Sequence, residues 1–218
     1  MLGMKALQKT PIIKTRDAER SRAIILKAAA EEFALFGLGG ARIDQIAERS
    51  GLNKRLIYYY FSDKDQLFQA VLELAYEKIR ESERALNLEA LEPAAAIRKL
   101  VEFTWNYYLE NPDFLTILNS ANLHKGRHIQ ESNHARTLNS PLIELLGEIL
   151  EKGRVSGEFR GGIDPVQLYI SIAGLSYFYL SNNATLSVIF GKGLMSPKAK
   201  SERLSHMCEV ILGYVLRS

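Results

Sequence analysis

Within nine residues, Asn53-Lys54-Arg55-Leu56-Ile57-Tyr58-Tyr59-Tyr60-Phe61 gathers two cations, an amide and three tyrosines. These groups suit nucleic acid: lysine and arginine donate to guanine edges, and a tyrosine hydroxyl donates to phosphate oxygens. Leu56 can add only apolar contact, for instance with a thymine methyl. Read as a helix, the stretch turns Ile57 and Phe61, four apart, to one side and leaves Arg55, Leu56, Tyr59 and Tyr60 largely outward. Lys54 and Arg55 then stand in a first helical turn, where positive charge opposes the helix dipole and calls for an anion.

Other chemistries find less support. His124 and His128 lie four apart and His134 follows, but Lys125, Gly126 and Arg127 make that segment basic, and no carboxylates cluster there to hold a cation. It reads as a surface loop of solvated histidines, and we expect no metal. Gly37, Gly39 and Gly40 follow a helix and lack the lysine and hydroxyl of a phosphate-binding loop. The single Cys208 excludes an internal disulfide, and its place in an apolar helical stripe near His206 suits packing better than nucleophilic attack. No catalytic arrangement emerges, so neither an enzyme nor a cofactor is expected.

The segment before this stretch supplies the element that would position it. Ile43, Ile46 and Ala47 recur at helical spacing, with Asp44, Gln45, Glu48 and Arg49 on the other side. Gly51 ends that helix because glycine enters the left-handed conformation without a side-chain penalty, and Asn53 can cap the next one. Helix, glycine turn and helix recur in many folds, but with a basic outer face they describe a helix-turn-helix whose second helix enters the major groove.

The run GLNKRLIYYYFSDKDQLF, with FALFG from Phe33 to Gly37 and the Ile46-Ala47 pair, closely resembles the signature of the TetR family of bacterial transcription regulators over roughly residues 20 to 68. Gly51, Asn53, Ile57, Tyr58, Tyr60, Phe61 and Lys64 all fit its pattern. The resemblance implies that Lys54, Arg55, Leu56 and Tyr58 approach bases while Tyr59, Tyr60 and Lys64 hold phosphates; Arg42 and Asn53 complete the expected DNA-binding set. Two positions depart from the pattern. Ala41 replaces the usual threonine before the second helix, removing a side-chain cap, and Leu56 replaces a commonly small or hydroxylated residue.

The chain has 218 residues and 47% apolar content, enough for a substantial core. Its net charge of +3 is unevenly spread: residues 1 to 65 hold 12 Lys or Arg against 8 Asp or Glu, and the remainder holds 16 against 17. Lys5, Lys9, Lys14, Arg16 and Arg20 suit either a mobile arm that meets phosphates or a solvated tail. The first twenty residues lack the apolar stretch of a signal peptide, which places the protein in the cytoplasm.

Proline marks the helix boundaries. Ser140-Pro141, Asp164-Pro165 and Ser196-Pro197 each pair a capping side chain with proline at a first helical position, and Pro93 and Pro112 break the chain similarly. Nine helices follow, near residues 17–36, 43–50, 53–60, 62–87, 93–110, 113–123, 141–156, 165–181 and 201–216, with no alternation to suggest a sheet. The expected fold class is all-α; with the resemblance, this implies a three-helix DNA-binding domain over residues 1–65 and a larger helical ligand-binding and dimerisation domain over 66–218. Ile25, Ala29, Phe33 and Phe36 should brace the motif, while Ser62 with Asp65 should form a capping box opening a fourth helix longer than ~35 Å.

Residues 165 to 191 contain no charge, yet too many serines, asparagines and glutamines to cross a membrane. With Val210, Ile211, Tyr214 and Val215 they suit a subunit interface. The resemblance likewise implies a homodimer through the last two of these helices, matched to a near-palindromic operator. It also implies a small-molecule cavity among helices four to eight. Trp105, Tyr108, Asn119, Asn122, Tyr177 and Phe178 have the right chemistry to line it, although plain core packing competes for each aromatic. No charged cluster is apparent among them, which points to a neutral or weakly anionic effector. The expected function is a sequence-specific transcriptional regulator, a repressor released from DNA by that effector.

Overall fold

The structure, a computed structural model, describes residues 12–130 and 140–217. Lys5, Lys9 and His134 lie outside them. Among the described residues there is no strand; the helices are α1 (Ile12–Gly40), α2 (Ile43–Ser50), α3 (Lys54–Phe61), α4 (Lys64–Arg84), α5 (Pro93–Glu110), α6 (Pro112–Leu123), α7 (Arg127–Gln130), α8 (Ser140–Val155), α9 (Pro165–Ser181), α10 (Asn183–Phe190) and α11 (Pro197–Val215). The chain divides into two compact units that meet between Val71 and Leu72, inside α4.

In the first unit the buried apolar side chains include Ile25, Ala29 and Phe33 of α1, Ile46 of α2, Ile57 and Phe61 of α3, and Leu67 and Phe68 of α4, and α1 packs on α2. Phe33 meets Phe68 edge-on, ring centroids 5.0 Å apart. Phe36, expected on this face, is instead 56% exposed. Gly37 breaks the helix (φ 62°, ψ 177°), and the fold-back donates Ala41 N–H to the Gly37 carbonyl at 3.1 Å. Leu38, beyond the break, takes the buried place.

Helix α4 opens differently from the expected Ser62–Asp65 box. Ser62 adopts φ 56° as the cap that ends α3, and Asp63 caps α4 by accepting from Gln66 N–H at 2.8 Å. At 21 residues α4 is about 31 Å long, shorter than expected, because the chain leaves the helix after Arg84 and Asn87 turns left-handed (φ 49°).

The second unit is organised around α5, whose Ile97, Leu100, Val101 and Trp105 are buried. Around it stand Leu146 and Ile149 of α8, Leu168 and Ile172 of α9, and Met207, Cys208, Ile211 and Val215 of α11. Burial pushes the Cys208 thiol above its ordinary range, consistent with packing. The uncharged stretch is two helices, α9 and the unanticipated α10, which ends where Gly191 turns left-handed (φ 61°). Asp164 caps α9 and Ser196 caps α11, each followed by proline at the first turn. Among the described residues no helix is long and apolar enough to cross a membrane.

Candidate nucleic-acid interface

The turn between α2 and α3 forms as its residues dictate. Gly51 sits at φ 66°, its N–H bonded to Glu48 C=O and that of Leu52 to Ala47 C=O, both at 3.2 Å. Asn53 Oδ1 then accepts Leu56 N–H at 2.9 Å, capping α3. With Ile57 and Phe61 buried, α3 turns Asn53, Lys54, Arg55, Tyr58 and Tyr59 to solvent, and Leu56 and Tyr60 are half-buried. Tyr59 is 79% exposed and packs edge-on against Tyr60 at 5.2 Å. An aromatic so exposed gains nothing from its own core and is free to meet a partner. Arg42 is exposed just before α2.

Two of the expected contact residues already have partners. Lys54 Nζ lies 2.8 Å from Asp44 Oδ1, and this hydrogen-bonded pair lowers the aspartate's pKa and raises the lysine's. The anion that a cation at this helix start required is thus the protein's own. Lys64 Nζ donates to Ala41 C=O at 3.2 Å, tying the start of α4 to the entry of α2.

The support beneath α2 comes from Glu32, which the sequence reading missed. Its carboxylate is buried on α1 and accepts Arg42 N–H on one oxygen and Arg49 Nη2 on the other, both at 3.2 Å. Arg42 stands at the helix start without a side-chain cap. A capping box would place its carboxylate three residues into the same helix; here one from another helix meets that N–H, compensating for the alanine at position 41. The available signal was a glutamate seven residues after Ile25, on α1's buried stripe.

Of the six expected ligand residues the structure brings Asn119 and Tyr177 into contact and places the other four apart from that pair. Trp105 is buried edge-on to Tyr179, and Tyr108 is stacked on Phe114 at 5.7 Å, so both pack the core. Asn119 accepts the Tyr177 hydroxyl, joining α6 to α9. Asn122 is exposed near the end of α6, and Phe178 is 59% exposed. Tyr177 and Phe178 are successive, about 100° apart around their helix, so one faces α6 while the other faces out. The expected histidine loop also differs: Arg127–Gln130 is a helical turn, His128 is buried, and His124 packs against it at 6.0 Å.

In place of an uncharged pocket, the second unit holds a buried ion pair on α4. Arg80 Nη1 lies 2.5 Å from Glu83 Oε2, and Arg80 Nη2 donates to the Tyr169 hydroxyl of α9. Burial pushes Glu83 up to about 7, an effect the Arg80 charge offsets in part. Neighbouring Tyr76 is likewise pushed up to about 12 by burial.

Comparison with known proteins agrees with this geometry. A family model described as bacterial regulatory proteins, tetR family, matches residues 25–71, and one described as tetracyclin repressor-like, C-terminal domain, matches residues 93–211. The HTH-type transcriptional repressor NicS of Pseudomonas putida is 40% identical over 200 residues, covering 92% of this chain and 94% of that protein. The HTH-type transcriptional repressor SCO4008 of Streptomyces coelicolor is 52% identical over 58 residues, 27% of this chain and 30% of its own. Among solved structures, a transcriptional regulator of Saccharomonospora viridis in complex with choline superposes with a TM-score of 0.69 at 17% identity, over 92% of this chain and all of that one. A TetR transcriptional regulator of Chloroflexus aurantiacus gives 0.68 at 22% identity, over 93% and 100%. With the helix-turn-helix formed and its basic, tyrosine-bearing face turned outward, the chain belongs to the tetR family of bacterial regulatory proteins and is a DNA-binding transcriptional regulator, not an enzyme.

Proposed function

We propose that the protein is a cytoplasmic repressor that occupies a near-palindromic operator as a homodimer and is released when a small molecule binds its second unit. The observation that carries this is the outer face of α3, where Lys54, Arg55, Tyr58 and Tyr59 stand exposed on a helix capped by Asn53 and anchored by Ile57 and Phe61. In this reading the unit carrying residues 1–65 binds DNA, and the remainder binds effector and partner. NicS and SCO4008 are named as repressors, and the Saccharomonospora viridis regulator binds choline, which supports repression and ligand response.

For the dimer we propose the exposed groove between α9 and α11. Ser171, Gly174 and Phe178 of α9 face Val210 and Tyr214 of α11 across a cleft of about 500 Å³. Gly174 is exposed and a methyl there would meet nothing within 4 Å, so a second backbone can approach closely. Ile211 and Val215, expected in this interface, are buried in the chain's own core.

The reading is tested with duplexes selected from a randomised pool. Arg55→Ala is expected to weaken the selected duplex by about 10- to 100-fold and to flatten preference at one base pair. Lys64→Ala is expected to weaken all duplexes alike and to reduce the salt slope by about one. An Arg55→Ala protein with unaltered base preference would remove the base-reading role. Asp44→Asn frees Lys54 from its ion pair. Affinity for mixed-sequence DNA at low salt should therefore rise about threefold or more, narrowing discrimination. Unchanged affinity in an anisotropy titration would show that Asp44 does not compete with phosphate.

A further inference from the structure

A buried charge is stable only when its hydrogen-bonding positions are filled, because water is no longer available to fill them. The α4 ion pair leaves two open. Arg80 is 4% and Glu83 3% exposed, yet among the described residues Arg80 Nε and Glu83 Oε1 have no hydrogen-bond partner. Both residues line a cleft of about 490 Å³ whose apolar part is Pro141, Leu142 and Leu145 of α8 and whose other lining residues are Arg84, Glu89 and Glu148. That volume lies in the range of small-molecule sites.

The open positions define the complement. Arg80 Nε–H is a donor and Glu83 Oε1 an acceptor, so one ligand edge fills both if it offers a carbonyl oxygen beside an N–H. Above about pH 7, where Glu83 is ionised, a carboxylate would pair with Arg80 only by facing the Glu83 carboxylate. An ammonium or amidinium would reach Glu83 only against Arg80. We infer that Arg80 and Glu83 are the polar anchor of the effector site, and that the effector is a neutral, amide-type molecule whose ring or short chain lies on Leu142 and Leu145. This rests on reading the chain as an effector-released repressor.

Three near-isosteric probes separate the possibilities: benzamide, benzoate and benzamidine, titrated calorimetrically into the purified full chain without DNA. Saturable benzamide binding is expected, with the two charged analogues at least about tenfold weaker. Tighter or equal binding of either charged analogue, or no saturable benzamide binding, overturns the assignment. Leu145→Trp fills the cleft and should abolish benzamide binding at an unchanged melting temperature; retained affinity places the ligand elsewhere. Glu83→Gln removes the facing charge and should shift the benzoate-to-benzamide affinity ratio towards benzoate by about tenfold, and an unshifted ratio argues against direct contact. Release from the selected duplex is measured separately: wild-type protein that binds no duplex defeats the repressor reading, whereas duplex binding without benzamide binding defeats only this site. Benzamide that binds but leaves the duplex in place overturns its role as an effector analogue.

Discussion

Phe33→Ala is expected to lower affinity for the selected duplex by more than about 100-fold while leaving the second unit folded. Phe33 is fully buried and meets Phe68 edge-on at 5.0 Å, so the substitution removes both its own burial and half of an aromatic pair. Deleting a buried phenylalanine costs about 3–5 kcal/mol, a large part of what a domain of some 70 residues has to lose. Glu32 lies one residue before it, so displacement of α1 also removes the carboxylate that holds Arg42 N–H and Arg49. Calorimetry should show the transition of the first unit lost or strongly lowered and that of the second unchanged. Near-wild-type binding at 37 °C would mean that the unit draws its stability from elsewhere.

Gly153→Ala is expected to destabilise the second unit by about 3 kcal/mol, a fall in Tm of roughly 6–12 °C at this size. A methyl at Gly153 would stand 2.2 Å from Cδ2 and 2.6 Å from Cγ of the Phe159 ring. The ring cannot step aside at little cost. It is buried, and both Glu158 and Phe159 donate their N–H to the Gly153 carbonyl at 2.9 Å. Beyond it, Arg160 N–H bonds Val215 C=O at 3.0 Å and Arg217 N–H bonds Glu158 C=O at 2.9 Å, fastening the end of α11. Displacing Phe159 therefore loosens one of the two helices proposed to form the dimer. Removing the ring first should shrink the effect: Gly153→Ala introduced into Phe159→Ala is expected to cost much less than in the wild type. Equal costs in both backgrounds, or a Tm within about 2 °C of wild type, would show that the clash is relieved some other way.

Helix α3, proposed to read DNA, was legible because every rule that builds it is local. Gly51 ends α2, Asn53 caps α3 through a side chain three residues away, and the four-residue spacing of Ile57 and Phe61 leaves Arg55 and Tyr59 outside. Proline after a capping side chain likewise located the start of α9, whereas the last helix, expected from about residue 201, begins at its own proline mark, Pro197. The failures cluster where two local choices competed or where length mattered. Ser62 and Asp63 are both capping residues, and only the end of α3 decides that Ser62 closes one helix while Asp63 opens the next.

Sequence alone determined most of the helices, the motif and the outward face of α3, since helical periodicity and capping act over a few residues. Tertiary structure alone decided which charges are satisfied inside the chain. Glu32 reaches Arg49 across 17 positions, Lys54 turns back to Asp44, and Arg80 meets a tyrosine 89 residues on. It also decided that Phe178 faces outward while Trp105 and Tyr108 fill the core, which separates Phe178 from the other aromatics composition had grouped as a pocket. Periodicity specifies a helix's faces, but the partner each face meets, and so whether a charge is solvated, paired or left with an open hydrogen bond, is settled by long-range packing.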